Sequence, residues 1–193
     1  MALTLKTGPL VEPVSLTDVR TYLRIDASTT DEDTLLTSLI TAARLTLETE
    51  TACAFIAQTW EQRLDAWPDT PIVLHKSPLI SLDTLEIIDE ADVRTLVPSS
   101  LYSLDATSTP ARVALRNGQT WPATKRALAG IAAGFTAGYG AAATDVPAPL
   151  RQAILYLVSH WFERRDPVAQ GPGGAELPAT VSALIAPFRS IGL

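Results

Sequence analysis

Glycines, two histidines, one thiol and scattered acids are the residues of this sequence whose types could do chemistry. Gly134-Phe-Thr-Ala-Gly138-Tyr-Gly140 is the first candidate, because glycines at a strand end let a backbone approach a phosphate. A phosphate loop, however, ends in Gly-Lys-Ser/Thr, and a dinucleotide fingerprint opens directly into a helix. Here Ala141-Ala-Ala-Thr-Asp-Val-Pro147 intervenes, so the stretch reads as a strand exit and a turn. His75 and His160 are the only histidines and Cys53 the only cysteine. A zinc site needs three or four ligands, and an internal disulfide needs a second cysteine. No Gly-x-Ser-x-Gly elbow occurs, and no acid pair stands apart from ordinary solvated carboxylates. The expectation is a protein without catalytic, cofactor-binding or metal-binding residues, and not an enzyme. Cys53 reads as a small buried residue at a helix end.

Charge narrows the partners. Lys and Arg number 15 against 21 Asp and Glu, a net of −6. Tight nucleic-acid binding draws on clustered Lys and Arg that neutralise phosphates, and there is no basic run. Tight nucleic-acid binding is therefore disfavoured, which leaves room for a surface that DNA slides past without specific binding. Hydrophobic residues make up 47% of the chain, enough for a core, yet no apolar run is long enough to cross a membrane. The first residues lack a signal-peptide pattern, which fits a cytoplasmic protein.

The elements that would position any site fall into three blocks. Ser15-Leu-Thr-Asp18 has capping-box spacing and opens a short helix through Leu16, Val19, Tyr22 and Leu23. A second helix is expected from Thr30 as cap, with Asp31, Glu32 and Asp33 in its first turn, where the helix dipole favours negative charge. Leu35, Leu36, Leu39, Ile40, Ala43 and Leu47 form its apolar stripe, and Arg44 with Glu48 reads as an i,i+4 pair on its wetter side. From residue 58 the period becomes two. Short strands are expected at Ile72–Leu74, Leu82–Ile88, Arg94–Val97, Leu101–Leu104, Arg112–Leu115 and Ile131–Thr136, with Asp89–Asp92 as a hairpin loop. Trp60, Trp67 and Trp121 lie in this region and read as core, with interface as the alternative. After Pro147, the spacing of Leu150, Ala153, Ile154, Leu157, Val158 and Trp161 gives an amphipathic helix. It ends at Arg164 and Arg165, before a Gly/Pro loop at 166–176 that is expected to be mobile. A last short helix carries Leu177, Val181, Leu184, Ile185 and Phe188, and Pro187 ends or bends it. The fold expected is α+β. Residues 1–57 and 146–193 make a helical core of three to four helices, and 58–145 an inserted small antiparallel β subdomain.

The joint order of Val14-Ser-Leu-Thr17, Tyr22-Leu-Arg-Ile-Asp26, Leu39-Ile-Thr-Ala-Ala-Arg44, Gln58-Thr-Trp-Glu61, Phe135-Thr-Ala-Gly-Tyr-Gly140, His160-Trp-Phe-Glu-Arg164 and Leu184-Ile-Ala-Pro-Phe-Arg189 resembles the head–tail connector (adaptor) proteins of long-tailed phages and the related gene transfer agents. The resemblance spans nearly the whole chain. It implies a structural protein that assembles as a ring, typically a dodecamer, below the portal vertex. Such a ring binds the portal protein on one side and a stopper or tail-completion protein on the other while DNA passes through. The free protein is expected to be a monomer or a preformed ring, in the host cytoplasm during assembly and at the head–tail junction of the particle afterwards. Two expectations concern contact residues. Leu177, Val181, Leu184, Ile185, Phe188 and Arg189 dock on the portal or a neighbouring subunit, or else they close the monomer's own core. Asp31, Glu32 and Asp33 meet Arg164 and Arg165 of a neighbour. A stopper or tail-completion protein, and a small nucleotide-binding or hydrolytic enzyme, are the alternative functions.

Overall fold

A computed structural model of the chain describes residues 1–26, 28–164 and 177–189. The element order is β1 (Ala2–Thr7), α1 (Leu16–Leu23), α2 (Asp33–Thr51), β2 (Gln58–Leu64), β3 (Ile72–Val73), β4 (Leu79–Ile88), β5 (Arg94–Leu96), β6 (Tyr102–Asp105), β7 (Arg112–Leu115), β8 (Ile131–Ala137), α3 (Ala148–Glu163) and α4 (Ala179–Ile185). The fold is α+β. The Ser15 hydroxyl accepts from the Asp18 N–H and the Asp18 carboxylate from the Ser15 N–H, so α1 starts with the capping box its sequence announces. Helix α2 starts later than expected. Thr30, Asp31 and Glu32 precede it, only Asp33 sits in its first turn, and no side chain caps it. The reason lies outside the helix, because Arg20 of α1 holds the Asp33 carboxylate at 2.7 Å and donates to the Thr29 carbonyl.

Five strands form one antiparallel sheet in the order β1-β2-β8-β4-β5, and three form a second in the order β3-β7-β6. The Asp89 carboxylate accepts from the Ala91 and Val93 N–H groups and tightens the β4–β5 hairpin. Strand β1 was not anticipated. Residues 2–7 pair antiparallel with β2, so the β unit includes a segment that the boundary at residue 57 had assigned to the helices. The strand is held by its pairing with β2 at the sheet edge and by Leu3 packing on the β core, while Leu5, Thr4 and Lys6 stay exposed. Leu85, Ile87, Ile131, Ala133 and Phe135 of the large sheet share one apolar cluster with Ile72 and Val113 of the small one. Leu36, Ile40, Ala43 and Leu47 of α2 share another with Leu150, Ala153, Ile154, Leu157 and Val158 of α3. Between α2 and β2, Cys53, Phe55 and Ile56 point into the helical cluster and Ala54 into the β cluster.

The Arg44–Glu48 pair is not on a wet face. Arg44 is 5% and Glu48 4% exposed, and the pair stands at the joint of the two clusters. Arg44 donates to Glu48 at 2.9 Å and to Glu12 at 2.7 Å. The other Glu48 oxygen accepts from the Phe55 N–H at 2.8 Å and from the Gln58 amide at 2.7 Å. Burial disfavours the Arg44 charge, but hydrogen bonds and the field of Glu12 and Glu48 outweigh it and raise the pKa above the usual arginine value. Removing one partner of a buried ion pair strands the other charge, at a cost of about 3–5 kcal/mol. Glu48→Ala should therefore lower unfolding stability by about that much in urea titration, and Glu12→Ala, at a half-buried carboxylate, by about 1 kcal/mol.

The outer face of the large sheet carries a second ion network. Arg94 on β5 reaches across β4 and β8 to Glu61 on β2 at 2.8 Å, and contacts Glu86 at 3.0 Å on the way. It can lie flat because the partners of Glu86 and Glu61 on β8 are Ala132 and Gly134. Arg63 and Lys6 add contacts to Glu61 at 2.8 and 3.3 Å. Burial pushes the Glu61 carboxyl up, but Arg94, Arg63 and Lys6 outweigh it and bring its pKa down to about 2. A carboxylate with a depressed folded-state pKa contributes stability that is present above its unfolded pKa and lost as pH falls through the folded one. Glu61→Gln should flatten the stability loss of the wild type between about pH 4.5 and pH 2. The difference at neutral pH should be on the order of 2 kcal/mol, since Arg94 and Lys6 are partly solvated. Thermal unfolding followed across that pH range checks both.

Candidate assembly surfaces

The residues with chemical potential are dispersed. His75 is exposed beside β3, and His160 is half-buried on α3. Cys53 is buried, which raises its thiol pKa, and its sulfur donates to the Phe188 carbonyl at 3.4 Å. Among the described residues, no group of three His, Cys, Asp or Glu could hold a metal ion, and no helix is long and apolar enough to cross a membrane.

The glycine stretch is a backbone crossing. Where β8 ends, the Gly138 N–H donates to the Pro78 carbonyl, Tyr139 N–H to Phe55, and Ala57 N–H to the Gly140 carbonyl. The exit of β8 is thereby laced to the 55–57 linker. A Cβ on Gly138 would meet the Ile56 and Ala57 backbone at 2.7 Å, and its φ of +145° disfavours side chains. A Cβ on Gly134 would meet the Thr84 hydroxyl at 2.6 Å. The stretch ends in an open turn and a short 3-10 segment at Ala143–Asp145, and α3 begins only at Ala148.

The C-terminal segment lies against the chain's own helices. Val181 and Ile185 are fully buried in the α2–α3 cluster, and Leu177, Leu184 and Phe188 are half-buried against it. Phe188 meets Tyr139 edge-on at 6.5 Å, and exposed Arg189 pairs with Glu50 at 3.0 Å. Amphipathic spacing alone could not distinguish this packing from docking on a partner. For Val181 and Ile185 to touch a partner, α4 would have to leave the core. The acidic stretch before α2 is split. Asp33 is held by Arg20, whereas Asp31 is exposed. Arg164 is exposed where α3 ends. Arg165 and the expected loop at 166–176 lie outside the described residues. The four tryptophans are all half-buried, Trp60, Trp67 and Trp121 on the β cluster and Trp161 on the helical one. Trp67 and Trp121 stack at 4.2 Å, an aromatic pair that single-residue reading could not foresee.

Gly138→Ala should cost about 2–4 kcal/mol, because the strained φ and the backbone clash act together and no flexible side chain can give way. Denaturation of the purified variant measures it; an unchanged midpoint would show that the crossing tolerates a Cβ.

Residues 13–77 match the family model for the phage gp6-like head–tail connector protein. No curated protein matches the chain. Among solved structures, the chain is similar over its whole length to a chain in the neck of an empty gene transfer agent particle computed with C6 symmetry, at TM-score 0.83 and 27% identity, covering 97% of that chain. A chain from the virion of a native gene transfer agent particle matches at TM-score 0.81 and 26% identity, with 97% of that chain covered. A chain in the neck of the native particle, computed with C12 symmetry, matches at 0.73 and 27%, again with 97% covered. Over residues 13–77, from α1 through β3, the chain is thus similar to the phage gp6-like head–tail connector family, and its likeness to gene transfer agent neck chains continues through the β unit to α4.

Proposed function

We propose that this protein is the structural adaptor of a head–tail junction, forming a ring below the portal that joins the capsid to the tail and lets DNA through. The whole-chain likeness to neck chains of a particle with twelvefold and sixfold symmetry carries the reading. It acts by assembly, without catalysis. Its partners are the portal protein, a stopper or tail-completion protein, and further copies of itself. Net charge supports the passage of DNA, because a ring of chains each at −6 repels phosphates that a basic lining would trap.

Two contacts follow for this assembly. A ring is closed by head-to-tail interfaces between two different patches. The acidic approach to α2, Asp31 above all, with Glu32 and Asp33 beside it, faces Arg164 of the next copy. The outward side of the C-terminal segment, with Arg189 and the exposed parts of Leu184 and Phe188, meets the portal or a neighbour while Val181 and Ile185 keep it seated on the core. The residues 58–145, extended by 2–7, form a β unit mounted on the helical connector core.

The mass of the pure protein, alone and then mixed with its cognate portal complex, tests the function. Many copies per portal are expected, and indifference to portals at all concentrations would overturn the reading. Arg164→Glu should weaken assembly on portals about tenfold, in line with 1–2 kcal/mol for a partly exposed charge pair. Adding Asp31→Lys should restore part of it if the two residues meet. No change in the single variant would remove this contact from the interface.

A further inference from the structure

Helix α2 runs 19 residues with one face in the core, and its solvent face has an unusual composition. Its exposed residues between Asp33 and Glu50 are Thr34, Leu35, Thr37, Ser38, Ala42, Leu45 and Thr49. None carries a charge. The two charged residues in that interval, Arg44 and Glu48, are turned inward. A solvated helix face ordinarily carries charged side chains. Four of the hydroxyls here are also already satisfied. Thr37 donates to the Asp33 carbonyl, Ser38 to Thr34, Thr46 to Ala42 and Thr49 to Leu45, each at 2.8–2.9 Å. The strip therefore presents methyl groups and leucine side chains rather than unfilled donors. Covering these four hydroxyls leaves none of them unpartnered, which is the usual cost of burying serine and threonine.

A rigid apolar knob flanks this strip. Residues 8–13 read Gly-Pro-Leu-Val-Glu-Pro, so two prolines limit the freedom of the loop. Glu12 clamps it to α2 by accepting from Thr41 at 3.0 Å and Arg44 at 2.7 Å. Leu10 at its tip is 91% exposed, and Leu45, one residue beyond Arg44 on the helix, is 50% exposed. A clamped loop holding a leucine in water gains nothing within the monomer.

We infer that the exposed face of α2 together with the Leu10 loop is a subunit–subunit contact, one of the two patches by which a second copy of this chain packs alongside in the ring. The proposal rests on the ring reading above. A second copy fits better than a charged partner for an electrostatic reason. Chains at −6 repel one another, so two copies approach most easily where neither presents charge, and interface centres are depleted of charged residues. Self-satisfied hydroxyls and methyl groups fit close packing against another protein surface and offer nothing to a nucleic acid.

The test uses the full chain carrying Leu45→Cys, labelled with a benzophenone maleimide; Cys53, 2% exposed, stays unlabelled. The labelled protein is added to heads lacking it, and illumination follows. Crosslinked pairs of this chain, joining position 45 to a region other than α2, are the expected result. Crosslinks only to portal or tail proteins, only between two copies of α2, or to no protein while the chain is bound to heads would overturn the proposal. Failure of unlabelled wild-type chain to bind heads would instead sink the connector reading on which it rests. As an independent check, Ala42→Glu and Leu10→Asp should leave the unfolding midpoint unchanged, since both sites are exposed. Each should reduce the number of copies retained on heads at least tenfold, and full retention would overturn the proposal as well.

Discussion

The structure depends on a carboxylate, Glu48, buried where the two apolar clusters meet. Its two oxygens engage Arg44, the Phe55 N–H and the Gln58 side chain. Through Arg44 the network extends to Glu12 in the N-terminal loop. One charged group therefore fixes the C-terminal half of α2, the linker into β2 and the segment that leads from β1 to α1. Apolar packing alone would allow the helical and β units to shift, because dispersion and hydrophobic contacts are not directional. A hydrogen-bonded ion pair is directional, and in a dry environment it is costly to break. The angle between the units is set by that geometry.

The rest of the joint is built to suit it. The linker alternates its side chains between the clusters, with Phe55 and Ile56 on one side and Ala54 on the other. A backbone shared between two cores has little room beside it, so the β8 exit crosses it at glycine. Lys76 adds a contact to the Glu48 carbonyl at 3.4 Å and lies 5.1 Å from the Trp60 ring centroid. Burial pulls the pKa of this lysine down, as expected where little water reaches. A directional, dry joint of this kind resists displacement of the two apolar clusters against each other.

Much of this was legible in the sequence. The capping box at Ser15, the stripe of α2, the face of α3 and the seven strands from β2 to β8 follow from period and caps, which are local properties. What escaped is non-local. An i,i+4 Arg–Glu pair looks the same whether it lies in water or under a loop, and nothing near Arg44 announces Glu12, 32 residues earlier. The late start of α2 depends on Arg20 taking Asp33. Strand β1 is only six residues long, and its weak alternation makes sense only beside β2. The C-terminal segment shows the limit for function. Val181, Leu184, Ile185 and Phe188 have the spacing of an amphipathic helix, and that spacing says a face will be covered without saying by whom.

The distribution of charge along α2 joins the joint to the assembly. Between Asp33 and Glu50 this helix spends its only two charged residues inside the protein, and its outward positions fall to Thr, Ser, Ala and Leu. Threonine is a poor choice for helix stability, since its branched side chain loses rotamer freedom. Lysine or glutamate would serve an exposed helix better on that ground alone. Their absence at the outward positions is a local cost without local compensation, the kind of inconsistency that marks a surface shaped by something other than the monomer's stability. Helix α2 can bear that cost because its fold is secured elsewhere, by the stripe packed on α3 and by Arg44 and Glu48 at the joint. The same two residues that lock the units together also leave the outer face free of charge, so the rigidity of the subunit and its fitness to pack against another protein surface come from one arrangement of one helix.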